Sequence, residues 1–191
     1  MKNRLVPLLI IATLGGLPSH AYSSLIFKQL SPTPTDYTFG IDFLIATGSG
    51  LGDVTATAQA IAWDLGLGNS STSGCLATDF AAFTGGNIAL LQRGTCSFST
   101  KILNAISAGA VGAIIFNQGN AADRFGVFTP SLTPYTNDDR VAIPVLGASY
   151  GVGVALDDAM VRIRVVPLPA TFGILGIGLL ALGFLRARRP G

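Results

Sequence analysis

The stretch NIALLQRGTCSFSTKILNAISAGAVGAIIFN, residues 87–117, constrains the fold most. Residues 87–94 form a short apolar run bounded by glycine, the pattern of a strand buried on both faces. Residues 96–110 read as a helix: Ser99 is placed to cap it, Ile102, Leu103 and Ile106 fall on one side, and Gly109 stops it. A second apolar run, 111–117, follows at once. Strand, helix, strand over about thirty residues predicts a βαβ unit, with parallel strands and a right-handed crossover.

Other segments are read around that unit. Strands are expected at 23–30, 36–46, 54–64, 141–149 and 161–166, with a short helix over 150–160. In 36–46, Tyr37, Phe39, Ile41 and Phe43 alternate as in a half-buried strand; in 161–166, Arg162 and Arg164 point out and Val161, Ile163 and Val165 in. Residues 31–35 and 65–74 are turn and loop. TGSGLGD (47–53) carries Gly48 and Gly50 but neither a following GK[ST] nor full dinucleotide spacing, so it reads as a turn. Residues 118–140 lack periodicity and form a long loop bearing Phe125, Phe128 and Tyr135; such loops are often functional.

Both ends differ from this middle. Residues 1–21 have Lys2 and Arg4, an apolar core from Leu5 to Leu17, and Ser19 and Ala21 at −3 and −1, which predicts a signal peptide cut after Ala21. A short membrane anchor is the other reading. Near the C-terminus, Ala170 to Leu185 gives sixteen residues without charge, followed by Arg186, Arg188 and Arg189. With the preceding VPLP this is an expected hydrophobic helix spanning a membrane, arginines on the cytoplasmic side. Residues 22–166 hold seven basic groups and ten Asp, a net charge of −3. The basic pI comes from the ends, and no nucleic-acid partner is expected.

GASYG, residues 147–151, matches the G-x-S-x-G nucleophile elbow, with Ser149 as nucleophile. A serine triad needs an imidazole, and the one histidine, His20, lies inside the expected leader; the chain has no glutamate. Zinc hydrolysis is disfavoured for the same reason. Ser149 is therefore read as a helix N-cap, a Ser-Lys pair with Lys28 or Lys101 being the remaining catalytic arrangement. Asp138 and Asp139 are adjacent, but no EF-hand pattern surrounds them, so no metal or cofactor is predicted. Cys75 and Cys96 are the only cysteines. In an exported chain they suggest one disulfide, with metal ligation or a reactive thiol pair as alternatives.

Together these residues resemble the protease-associated (PA) domain. The likeness is carried by Cys75, Asp79 and Phe80; Ile88 to Leu91; Arg93, Gly94, Cys96, Ser97, Phe98 and Lys101; Ala108 to Ala110; Asn117; and Ile143, Pro144 and Val145. It implies a mixed α/β fold, an open barrel-like β arrangement with flanking helices, a Cys75–Cys96 bridge, and recognition rather than catalysis. The tail, with Val166, Pro167, Leu168, Pro169 and Ala170, an apolar span and then Arg-rich residues, resembles a PEP-CTERM sorting signal; Leu168 stands where the commoner form has Glu. That implies an exosortase-type enzyme as partner, a membrane-anchored precursor, and delivery to the surface of a Gram-negative bacterium. The prolines are expected to end the preceding strand.

The expected organisation is a signal peptide (1–21), a PA domain (22–165) and a sorting signal (166–191), with no peptidase domain attached. The expected function is non-catalytic binding of a peptide, protein or polysaccharide, with Arg93, Asn117, Phe125, Phe128 and Tyr135 as candidate contacts. Alternatives are an accessory part acting in trans with an extracellular hydrolase, or a matrix component.

Overall fold

A computed structural model describes residues 22–167. Eight strands form one sheet: β1 (Tyr22–Ser31), β2 (Thr35–Asp36), β3 (Phe43–Ile45), β4 (Gly52–Ile61), β5 (Ile88–Gln92), β6 (Gly112–Phe116), β7 (Val145–Ala148) and β8 (Met160–Pro167). The order is β2-β1-β8-β4-β5-β6-β7-β3. β4 to β7 are parallel neighbours in sequence order, while β1, β8 and β3 pair antiparallel. The sheet curls into a half-barrel, so that Phe27 of β1 meets Phe43 of β3 with ring centroids 5.2 Å apart.

The parallel strands are buried on both faces because each face has its own core. Ile88, Leu90, Ile114 and Phe116 point into the curl with Phe27, Val161, Ile163 and Val165. Ala89, Leu91, Ala113 and Ile115 face outward, under Ile102, Ala105, Leu132 and Ile143. Helix α1 (Phe98–Ser107) covers this outer face. Its N-cap is Ser97, whose hydroxyl accepts from Thr100 N. Ser99, expected in that role, lies inside the first turn and donates to the Thr133 carbonyl. Gly109 follows at φ +84°, where a side chain would be strained. Helix α2 (Tyr150–Ala155) plugs the curl, and Gly153 has no room for a Cβ beside Phe116.

The single strand expected at 36–46 is broken. Ile41 N and Asp42 N both donate to Thr38 O, and Asp42 Oδ2 accepts from Thr38 N at 2.8 Å. Gly40 sits at φ +83°. Phe39 and Ile41 consequently project outward, 51 % and 70 % exposed. In the 47–53 turn, a Cβ on Gly50 would meet the Val141 and Ile143 carbonyl oxygens at 2.5 Å. The short helix of 150–160 stops at Leu156, and Asp158 takes φ +60° before β8.

β8 also runs on through Val166 to Pro167 rather than ending before the prolines. β4 stops pairing at Gly52↔Val165, so Pro167 has a neighbour on one side only, Tyr22. A missing N–H is tolerated at such a position. Leu168, Pro169 and Ala170, like the expected leader and the apolar tail, lie outside the described residues. Among the described residues no helix is long and apolar enough to cross a membrane.

Candidate functional site

The C-terminal ends of the four parallel strands form a rim. In open α/β sheets, that end is where ligands usually bind. Each strand hands over to polar or aromatic residues: β4 to Trp63 and Asp64, β5 to Arg93, β6 to Asn117 and Gln118, β7 to Ser149 and Tyr150.

Beneath the rim lies a layer of hydrogen-bonded amides. Gln92 is buried; it accepts from Asp64 N and donates to Asp64 O and Gln118 O, at 2.8, 2.8 and 2.9 Å. Gln118 donates to the Asn69 carbonyl and side chain, both at 3.0 Å. These bonds staple the 62–70 loop to the sheet end. Trp63 donates from Nε1 to Leu90 O at 3.0 Å and packs edge-on against Phe116, with centroids 4.9 Å apart.

Arg93 stands on this layer. Its guanidinium lies 4.8 Å from the centroid of Phe128, which packs on Phe98. Nη1 donates to Asn117 Oδ1 at 3.5 Å. Burial, then the charge of Arg124, lowers the Arg93 pKa below its ordinary value, against a smaller upward pull from Asp123. No carboxylate of the described residues lies within ion-pair distance of it. Arg124 pairs with its neighbour Asp123 at 3.4 Å.

The structure brings together four of the five residues expected from sequence and separates the fifth. Asn117 is buried, donating to Gly126 O at 2.8 Å and accepting from Gln118 N. It therefore positions the loop and Arg93. Phe125 is 42 % exposed and sits edge-on to Tyr150 at 5.1 Å. Phe128 is half-buried under Arg93. Tyr135 packs instead against Gly48 and the outer core, beyond the starting end of β7. Sequence reasoning missed Gln92, Gln118, Trp63, Arg124 and Tyr150. The signal available was a polar pair directly after each buried apolar run, Gln92-Arg93 and Asn117-Gln118.

Cys75 and Cys96 are joined, with Cα atoms 5.8 Å apart. Lys101 is buried under this bridge. Its ammonium donates to the Ser73 carbonyl, 3.7 Å from Cys75 Sγ. Burial pushes its pKa down to about 8, against a smaller upward pull from Asp79. Ser149 accepts from Val152 N as the α2 cap. Lys28 pairs with Asp36 at 3.7 Å, so neither lysine is a base for Ser149. Arg162 and Arg164 point outward from β8 toward Asp53, at 2.7 and 3.7 Å. The Arg162 hydrogen bond is the main cause holding the Asp53 carboxyl below its ordinary pKa. The described residues contain no group of three or more His, Cys or Asp side chains able to hold a metal.

A family model described as "PA domain" matches residues 55–156, and one described as "PEP-CTERM protein-sorting motif" matches 165–189. An aminopeptidase of Pseudomonas aeruginosa is 48% identical over 124 residues, 65% of this chain and 23% of the relative. A probable leucine aminopeptidase 2 of Aspergillus fumigatus is 36% identical over 85 residues, 44% of this chain and 16% of the relative. The chain thus spans under a quarter of the length of these curated relatives. A solved zinc aminopeptidase from Bacillus subtilis superposes with a TM-score of 0.56 at 26% identity, over 75% of this chain and 30% of that one. A subtilisin-like protease from an Antarctic Pseudoalteromonas shares the fold, with TM-score 0.51 and 13% identity over 78% of this chain and 34% of that one.

Proposed function

The chain belongs to the PA domain family, and from that membership we propose that it is a non-catalytic recognition module which binds an extended peptide or protein segment at the Arg93 rim. Its PEP-CTERM motif marks it as an exported protein sorted through a membrane-held form. The observation that carries the binding reading is Arg93 itself: a half-buried guanidinium over an aromatic ring, with no carboxylate partner among the described residues. The guanidinium is only partly desolvated and its remaining donors face water, so a ligand can take them without displacing any protein partner. A peptide carbonyl or carboxylate fits that geometry, and Phe125 and Phe128 offer apolar contact beside it.

The non-catalytic part rests on chemistry. Past residue 21 the chain has no histidine and no glutamate, Ser149 serves as a cap, and both lysines of the domain are engaged elsewhere. Purified protein is predicted to release no product from peptide or ester substrates; turnover lost on Ser149→Ala would refute this.

The binding test is selection from a random peptide library on the purified chain, then affinity measurement with Arg93→Ala, Phe128→Ala and Tyr135→Ala. Loss of a charge-assisted bond predicts roughly tenfold or greater weakening for Arg93→Ala. Tyr135→Ala is expected to bind like the parent. Peptides that bind equally to all variants would remove the site.

A second reading is supported by the relatives. They are aminopeptidases in which the matching segment is a minor part, which favours a module that acts in trans on an extracellular peptidase. Addition of the purified chain to a secreted aminopeptidase would then change KM for peptides and leave kcat for a small amide substrate unchanged.

A further inference from the structure

We infer that, while the sorting tail holds the chain at a membrane, the pole carrying Tyr22 and Pro167 rests on the lipid headgroups and the Arg93 rim faces away from the bilayer. This rests on the tail being membrane-directed and on the rim being the recognition site; the ligand itself does not enter.

Register places the two poles. Tyr22 pairs with Pro167, and Gly52 with Val165, so the start of β1, the start of β4 and the end of β8 share one end. β4 runs from there to Ile61, in parallel with β5, whose end carries Arg93. Ten residues of strand separate the poles by about 30 Å. Tyr22 and the start of the sorting motif are therefore neighbours, at the opposite end from Arg93, Asn117, Phe125 and Phe128.

The tether is short. Only Leu168 and Pro169 stand between Pro167 and the sixteen uncharged residues Ala170 to Leu185. Two extended residues reach about 7 Å, so the Pro167 pole cannot lift clear of the surface. Leu51, 40 % exposed just before β4, lies at this pole, while Arg164 beside it is turned to Asp53 at 3.7 Å, so the orientation is set by the tether rather than by surface chemistry. The rim, by contrast, lies beyond the roughly 8 Å over which an anionic surface acts at physiological salt. Arg93 and Arg124 therefore remain available to a partner in the aqueous phase, and a membrane-embedded partner cannot reach them.

The test uses the full chain, purified from membranes and reconstituted in phosphatidylethanolamine–phosphatidylglycerol vesicles that carry a headgroup nitroxide. A fluorophore is attached to Leu51→Cys or to Leu67→Cys, the latter an exposed position on the 62–70 loop of the rim. Quenching at position 51 is expected to exceed that at 67 by about threefold or more, given the pole separation. Equal quenching, or more at 67, overturns the orientation. If the chain does not float with vesicles, the anchoring premise falls and takes the inference with it. Neither result alters peptide binding by soluble protein, which tests the rim on its own.

Discussion

Two cations eight residues apart have opposite fates. Lys101 is sealed beneath the Cys75–Cys96 bridge, with its ammonium committed to the Ser73 carbonyl. Arg93 sits at the strand ends, half-buried over Phe128, with one long hydrogen bond and no carboxylate. Both carry a desolvation cost, which lowers both pKa values. The difference lies in what the protein provides in return. Lys101 is a structural peg between α1 and the 71–80 loop, whose donors face protein. Arg93 is held in place by an amide layer and leaves donors facing solvent. Donors that face protein mark scaffold; donors held in place but facing solvent mark a site.

The comparison breaks most visibly at Lys101. Lys101→Ala removes a fully buried stem and strands the Ser73 carbonyl, with an expected loss of about 3 kcal/mol in chemical denaturation. Lys101→Met keeps the volume and should cost less, although it leaves the Ser73 carbonyl equally unpaired. The same pair checks a pH effect. The folded pKa is near 8 and the ordinary value 10.5, so between them the unfolded chain holds a proton that the folded chain has released. Stability of the parent should therefore rise as pH climbs from about 8, and Lys101→Met should abolish that rise. Measurement is best confined below pH 9.5 or so, because Tyr37, whose pKa is raised chiefly by burial, acts in the opposite sense higher up. A rise that survives in Lys101→Met would show that the amine is not its source.

Removing the bridge above Lys101 comes next. Cys75→Ala with Cys96→Ala frees a loop of sequence separation 21, for which chain entropy predicts a loss of about 3 kcal/mol or somewhat less. On the other side of the comparison, Gln92→Ala strips the amide layer under Arg93. It should cost roughly 1–3 kcal/mol, since Asp64 and Gln118 backbone groups lose their partner. Hydrogen exchange should quicken in residues 62–70 while α1 stays protected. Uniform exchange across the domain would mean that the rim is not a separable layer.

The scaffold was far more legible in sequence than the site. The βαβ unit showed because both faces of β5 and β6 are buried, which leaves an unbroken apolar run that only a covered parallel strand tolerates. The alternation of Arg162 and Arg164 with buried valines showed because β8 has one wet face. The reading failed at 36–46, where a local turn built by Gly40 and Asp42 overrode aromatic periodicity. It failed in part at 118–140, whose path is set by contacts distant in sequence: Leu132 bonds to Thr47, and Asn117 to Gly126. No periodicity encodes those. Tyr135 was grouped with Phe125 and Phe128 only because it shares their loop, and the loop crosses from one pole to the other.

Arg93 should give the smallest stability change and the sharpest functional one. Its side chain covers part of Phe128 and makes one bond of 3.5 Å, so Arg93→Lys should leave the denaturation midpoint within about 0.5 kcal/mol of the parent, as surface changes do. Lysine keeps the charge but offers a point donor in place of a planar fork, and it stacks less well on a ring. If the rim recognises a peptide through that fork, library-selected peptides should bind Arg93→Lys nearly as weakly as Arg93→Ala. If charge alone mattered, lysine would restore most of the affinity and the salt dependence of binding would match the parent. A loss of stability as large as that of Lys101→Ala would erase the distinction between the two cations and make Arg93 a second peg.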